Sequence, residues 1–582
     1  MNSQKEIQID VLSKEEALQL FKKIVGDSMK TSAFQSIAVE IVGRCGGLPV
    51  ALITLAKALK NESLDTWKDV LRQLRSSYAK EIDGMEKNVY LSIKLSYDFL
   101  RSEEAKSLFL LCGLFSEGHA IPVPYLLRYG MGMGYFKEVY TVEEARSRVH
   151  TLIGKLKSLC LLLDGDAEDE VKMHDVIRVV AVSIAEDEHM FNIPNVADLE
   201  KKMEETIRKD PIAISLPYRG DQVLPQRMRC PRLGLFLLHT IGLCSIQVSD
   251  HFFEGMEGLK VLQFPGIGSS SLPSSLDRLI NLQTLCLDGC RLKDIAKVGQ
   301  LKKLEVLSFR DSDIEQLPLE IGQLRRLQLL DLSNCWTLEV IAPNVISKLS
   351  RLEELYMGNS FKRWEKVEGG SNASLVELNG LSKLTTLEIH VRYAEILPQD
   401  LVSVELQRYK MFIGEARGRW FVKSETSRLM KLERLKSVSI LLRNPGMRML
   451  LQRTEDLWLE TLEGVPSVVH ELDDGEGFPR LKHLYVESCS EILHIVGSVR
   501  RVGCEVFPLL ETLYLIGLAN LETICCSQLR EDQSFSNLRI IEVEHCNKLK
   551  HLFSFSMAKN LLWLQKVGVE ECDELKMIIG KC

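Results

Sequence analysis

One phrase recurs from Leu259 onward and restricts what this chain can fold into. Leu282, Leu285 and Leu287, followed by Cys290 and Leu292, form an LxxLxLxxCxL unit. Its first half is copied at Leu259/Leu262/Phe264, Leu304/Leu307/Phe309, Leu327/Leu330/Leu332, Leu352/Leu355/Met357 and Leu384/Leu387/Ile389, with starts 23, 22, 23, 25 and 32 residues apart. After an irregular middle, about 390–450, the unit returns at Thr454/Leu457/Leu459, Leu481/Leu484/Val486, Leu510/Leu513/Leu515, Leu538/Ile541/Val543 and Leu564/Val567/Val569. This consensus and period are those of a leucine-rich-repeat solenoid, in which no single repeat can bury its own apolar side.

Alternation within each unit predicts a short strand with its leucines turned into the stack. The return segments Leu272-Pro273-xx-Leu276-xx-Leu279, Leu317-Pro318-xx-Ile321-xx-Leu324 and Ala342-Pro343-xx-Ile346-xx-Leu349 are bulkier than the spacing between strands. They are expected to crowd the outer side and bend the array. The x positions of the strands then face the hollow side, which solenoids use to hold partners. Glu353, Tyr356, His483, Tyr485, Tyr514 and Glu542 are the candidate partner-binding residues, because aromatic side chains dominate binding energetics. The alternative for each is a plain solvated face.

Composition narrows the function classes. With 73 basic against 80 acidic side chains the net charge is −7, whereas nucleic-acid binders carry a basic excess. No run approaches the roughly 18 apolar residues of a membrane span, and the start, Met1-Asn-Ser-Gln-Lys-Glu, lacks the plan of a signal peptide. The 15 cysteines are odd in number, and Cys290, Cys335, Cys489, Cys546 and Cys572 each follow a repeat strand in the slot where such repeats place Asn or Cys. They read as reduced core thiols of a cytoplasmic protein. No metal-ligand spacing, catalytic triad or carboxylate pair stands out, so neither a metal site nor an enzyme is expected.

Ahead of the repeats, a short strand-like start at Ile7–Val11 leads to Ser13-Lys-Glu-Glu16, which has the form of a capping box for a helix through Phe21 and Ile24. Gly46-Gly47 ends a second helix, and Pro49 suits the first turn of a third. Trp67, Val70, Leu71 and Leu74 mark another, and 89–115 reads as two buried helices. An amphipathic helix over 143–163, an acidic turn at 164–170, a short strand at Val171–Met173 and a last helix from His174-Asp175 to Ala185 are compatible with a winged helix. Residues 186–210 are polar and read as a linker, Ile212–Leu216 and Leu233–Leu238 as strands that start the solenoid, and Lys362–Ser371 as a charged surface insertion.

Three landmarks precede the array in a fixed order: Leu12-Ser-xx-Glu16-Ala17-xx-Leu20-Phe21, Gly47-Leu48-Pro49-Val50-Ala51, and Met173-His174-Asp175. Together with the repeats they resemble the plant nucleotide-binding leucine-rich-repeat disease-resistance proteins of the coiled-coil branch, truncated at the N-terminus. The resemblance implies an α+β multidomain chain. Residues 1–80 would be the end of the nucleotide-binding core plus a first helical (ARC1-like) domain, 81–190 a winged-helix (ARC2-like) domain, 191–230 a linker and 231–582 the solenoid. It also implies that Gly47, Leu48 and Pro49 lie at the adenine and Met173, His174 and Asp175 at the phosphate end of bound ADP or ATP. Taken alone, Pro49 is a helix-starting proline and His174 a capping or surface residue.

The function implied is that of an immune receptor fragment that recognises a pathogen effector or a guarded host protein, or pairs with an intact relative. Alternatives are a repeat-built adaptor without nucleotide binding, a winged-helix DNA-binding protein and a ubiquitin-ligase substrate receptor. The DNA reading is opposed by the helix from His174, where Arg178 is the sole cation besides the histidine. The phosphate loop GxxxxGK[ST] is absent from the sequence, since Gly154-Lys155 is followed by Leu156. The family's upstream segments would precede Met1. Charge-assisted hydrogen bonds contribute about 1.5–3 kcal/mol each, so losing roughly three phosphate contacts weakens binding by about three to six decades. Titration calorimetry on the purified chain is therefore expected to show no ADP binding at micromolar concentrations, and a micromolar isotherm would refute the expectation.

Overall fold

The computed structural model describes residues 10–29, 31–75, 85, 87–193, 195–196, 210–220, 222–240, 245–268, 271–366, 370–398, 406–415, 426–473, 477–497, 505–525 and 534–580. Parts of three sequence readings, namely the start at Ile7–Val11, the polar stretch 186–210 and the insertion Lys362–Ser371, lie outside them. The chain divides into two compact units. The first comprises the described residues up to 240 with 251–264 and 281–284, and the second comprises 245–250, 265–280 and the chain from 285 onward.

The first unit begins as a helical cluster. Helix α1 (Lys14–Val25) is started by the capping box: Ser13 Oγ accepts from the Glu16 amide, and Glu16 accepts from the Ser13 amide at 2.9 Å. Ala17, Phe21 and Val25, spaced by four, bury one face. Helices α2 (Ser32–Arg44), α3 (Pro49–Leu59) and α4 (Leu64–Arg75) close around Trp67. That indole is fully buried edge-on to Phe21 and Phe34, with centroids 5.8 and 5.2 Å away, and its Nε1 donates to the Leu59 carbonyl at 3.1 Å. The buried N–H thus has its partner.

Helices α5 (Lys87–Asp98), α6 (Glu103–Gly113), α7 (Val123–Met133), α8 (Val142–Ser158) and α9 (Asp175–Asp187) follow. They accompany a three-stranded antiparallel sheet in which Glu170–Lys172 lies between Ile121–Pro122 and Leu163–Asp164. The acidic turn forms the hairpin of this winged-helix arrangement. The strand lies one residue earlier than its sequence suggests, ending at Lys172 because His174 already caps α9.

The same unit then becomes a parallel ladder of Met190–Asn192, Ala213–Tyr218, Leu235–Thr240 and Val261–Gln263. The ladder therefore starts within the stretch read as a linker. Ser215 Oγ donates to the carbonyl of Leu114, just past α6, at 2.6 Å. Phe236, Phe252, Phe253 and Phe264 fill its core with ring centroids 5.1–6.2 Å apart. Helix α7 lies directly on this ladder: the Arg128 carbonyl accepts from Thr284 Oγ1 at 2.9 Å, and a Cβ at Gly132 would stand 2.5 Å from Thr284 Oγ1 and 2.6 Å from a Val261 methyl.

In the second unit the parallel rungs Val306–Ser308, Leu329–Asp331, Glu354–Tyr356, Thr386–Val391, Arg408–Gly414, Arg428–Glu433, Asp456–Glu460, His483–Glu487, Thr512–Ile516, Ile540–Glu544 and Lys566–Glu570 pair in sequence order. Register sets Leu307 beside Leu330, Leu330 beside Leu355 and Leu355 beside Leu387. It likewise sets Leu457, Leu484, Leu513 and Ile541 in line. Leu285, Leu307, Leu330 and Leu355 are fully buried. On the outermost rung Val567 and Val569 are exposed.

The out-of-phase middle supplies two ordinary rungs. There Tyr409, Met411 and Ile413, then Met430 ahead of Leu432, fill the buried positions, and the buried Tyr409 hydroxyl bonds the Leu450 carbonyl at 2.6 Å. The return segments after Pro273 and Pro318 are single 3₁₀ turns, Ser274–Arg278 and Leu319–Gln323. Cys290, Cys335, Cys489 and Cys546 are buried, and burial pushes the Cys290 thiol up to about 12 and that of Cys489 to about 11. Cys335 and Cys546 donate to carbonyls at 3.0 and 3.4 Å.

Two glycine substitutions should move stability in opposite directions. Gly132→Ala should lose about 1–3 kcal/mol to overpacking, although alanine is the better helix former. Gly154→Ala, exposed on α8 with open space at the Cβ, should gain about 0.4–1 kcal/mol. Thermal or urea denaturation of the two variants checks both signs.

Candidate functional site

The face carrying the x side chains changes character along the second unit. On Val306–Ser308 and Leu329–Asp331 every residue is buried, whereas Asp456–Glu460 (after its buried Asp456), His483–Glu487 and Thr512–Ile516 alternate buried aliphatic residues with part-exposed or exposed x residues. Parallel pairing places Trp458, Tyr485, Tyr514 and Glu542 in one row. Tyr485 stacks on Trp458 at 3.7 Å between centroids and 11° between planes, and on Tyr514 at 4.7 Å and 4°. Tyr485 is held between the other two rings, so little of its rotamer freedom remains to be lost on binding. Burial, with Asp456 next in effect, pushes the Tyr485 phenol up to about 12 and keeps it protonated.

The sequence-derived candidates divide into two places. Tyr485, Tyr514 and Glu542 share the row, with Glu542 ion-paired to Lys566 on the next rung. His483 lies one position over, its Nδ1 2.7 Å from Thr512 Oγ1. Tyr356 stands five rungs away, roughly 24 Å at about 4.8 Å per rung. Its hydroxyl donates to Glu354 at 2.8 Å, and Glu354, wholly buried, pairs with Arg408 at 2.8 Å.

Glu353 corrects the sequence reading. It is only 4% exposed, and its carboxylate accepts from Gln328 of the preceding repeat at 2.9 Å, so this side chain is not displayed. Trp458 was missed. It occupies the slot between Leu457 and Leu459 that Tyr485 and Tyr514 occupy in the following units, and aligning the copies by their leucines reveals it.

In the first unit, Gly47 adopts φ +71° and its carbonyl accepts from the Leu12 amide at 3.0 Å. A Cβ there would lie 2.6 Å from the Leu12 carbonyl oxygen, so this turn requires glycine. Leu48 caps α3, and Pro49 is exposed in its first turn. Met173 is buried, His174 and Asp175 are exposed, and His174 Nδ1 accepts from the Val176 amide at 3.2 Å. Helices α3 and α9 both pack on α5, which puts Pro49 and His174 at two helix starts of one cluster.

Gly154-Lys155 lies in the interior of α8, where the backbone amides are committed to the helix. Neither Gly154-Lys155 nor Gly580-Lys581, the two Gly-Lys pairs of the sequence, is followed by Ser or Thr.

Residues 451–573, which contain the aromatic row, match the family described as plant disease resistance protein RPS2-like, leucine-rich repeats. Over 99% of its length the chain is 29% identical to Disease resistance protein At4g27190 of Arabidopsis thaliana, covering 60% of that relative. Over its full length it is 29% identical to Probable disease resistance protein At4g27220 of the same plant, covering 63% of it. Its homologues are plant disease resistance proteins. Disease resistance protein SUMM2, also of Arabidopsis thaliana, is 30% identical over 49% of this chain and is covered to 33%. The chain thus spans about three-fifths of the first two resistance proteins and a third of the last. Among the described residues no helix is long and apolar enough to cross a membrane.

One titrating group lies on the same sheet as the aromatic row. His390, 3% exposed, stacks on Phe412 at 4.3 Å, and its Nε2 lies 2.8 Å from the Gly414 carbonyl, to which it donates. Burial first, then Lys362, Arg392 and Lys431, lowers its pKa to about 4 against the Gly414 bond. The neutral ring is the folded form, so its contribution is complete above pH 6.5, falls as the pH drops from 6.5 to 4 and is lost below that. In urea titrations His390→Phe should flatten this acid loss by roughly 3 kcal/mol. An unchanged slope would show that His390 does not titrate this way.

Proposed function

We propose that this chain serves as a receptor component of plant defence, working in the cytoplasm and recognising a pathogen effector or a guarded host protein through the x-face of its repeats. One observation carries the reading: three aromatic rings are stacked in register on a part-exposed sheet face, in the region matched by the resistance-protein repeat family. Aromatic side chains held rigid before binding are the commonest source of interface energy.

On this reading residues 1–80 and 81–190 are the helical and winged-helix parts that relay or restrain signalling, with α7 packed on the ladder of the same unit. Gly47, Leu48, Pro49, Met173, His174 and Asp175 then keep the turn and caps of a nucleotide switch while ADP affinity is weak. That weakness favours a second reading, in which the chain regulates an intact relative by pairing with it.

Co-precipitation of the full chain with candidate effectors and host proteins tests the proposal when repeated with Tyr485→Ala/Tyr514→Ala. One hot spot is worth ~2 kcal/mol, so capture should fall at least about thirtyfold. A partner retained equally by the double variant would move recognition off this face.

A further inference from the structure

Beside the aromatic row runs a mostly acidic one. Two residues further along each rung, pairing aligns Glu433, Glu460, Glu487, Ile516, Glu544 and Glu570 in a second row. Lys431 neutralises the near end, reaching Glu433 at 3.1 Å and Glu460 at 2.7 Å. Beyond it, Glu487 and Glu570 are exposed and Glu544 is half-buried, and none of these three carboxylates has a cation partner among the described residues. The loss of hydration at Glu487, with Glu460 and Glu433 beside it, raises its pKa against the pull of Lys431. A sheet face that lines up like charges repels itself and gains when a cation settles on it.

We propose that the face from Asp456–Glu460 to Lys566–Glu570 receives a lysine- and arginine-rich segment of a protein partner, its cations on Glu487, Glu544 and Glu570 and its carbon stems along the edge of the Trp458–Tyr485–Tyr514 stack. This rests on the partner-binding reading above and adds the chemistry of the occupant. The rings explain why a polypeptide fits better than a free ion. Stacked against one another, they offer edges and phenol hydroxyls rather than open faces, which suits the methylene stems of long basic side chains. Ile516 interrupts the carboxylates between Glu487 and Glu544, so the preferred segment has an apolar residue between its basic ones.

Fluorescence anisotropy with the full chain decides it, using a labelled extended peptide of alternating arginine and leucine, its arginine-to-glutamine analogue, and spermine as competitor. The basic peptide should bind about tenfold or more tightly than the neutral one, and weaken with salt. Glu487→Gln/Glu544→Gln should remove that preference without changing the melting temperature, and Tyr485→Ala/Tyr514→Ala should weaken both peptides.

Three outcomes would overturn the inference: equal binding of the two peptides, a preference that survives the glutamine pair, or displacement by spermine as readily as by unlabelled peptide. Capture of a neutral or acidic partner that depends on Tyr485 and Tyr514 would also overturn it while leaving the partner-binding reading standing. Failure of both peptides, together with partner capture indifferent to the tyrosines, would end both.

Discussion

Every feature of the second unit depends on the in-register pairing of parallel rungs, which sets like on like at a fixed spacing. Leu307, Leu330, Leu355 and Leu387 form one column because each rung's hydrogen bonds leave no other registration with the apolar side turned in. A shift of one residue would turn the whole column into solvent. The same pairing multiplies whatever stands at the x positions. One aromatic residue per repeat becomes a stack, and one glutamate per repeat becomes a charged row.

Several buried polar groups within this scaffold are satisfied locally, although the Trp458 indole N–H has no hydrogen-bond partner among the described residues. The Cys335 and Cys546 thiols donate to nearby carbonyls, Tyr409 ties its hydroxyl to Leu450, and Glu354 holds Arg408 two rungs away. Paired in this way, the side chains can be buried without an unmet hydrogen bond. On the part-exposed face near Tyr485, Glu487, Glu544 and Glu570 have no cation partner among the described residues. In the first unit, the winged-helix part contributes α7, whose glycine at 132 lets the helix backbone approach Val261 and Thr284 closely.

The landmark residues of the first unit have local structural roles of their own. Gly47 is required by its φ and by the contact with Leu12, and His174 caps α9, so both positions have a structural reason to persist whatever binds near them. The Gly154-Lys155 pair, by contrast, lies inside α8.

By itself the sequence determined the repeat count wherever leucines kept phase, the strand positions, the capping box at Ser13–Glu16, the helix starts at Pro49 and His174, and the solenoid class. Each depends on neighbours within a few residues or on a period that survives inspection of one strand at a time. Only the tertiary structure decided which x residues are displayed. Glu353 lost its place to a bond with Gln328, Trp458 entered the row, and Tyr409 and Met430 made rungs where leucine spacing lapses. These outcomes follow from side chains of different repeats meeting across a rung, and exposure is fixed by that meeting, which the local pattern along one strand does not contain.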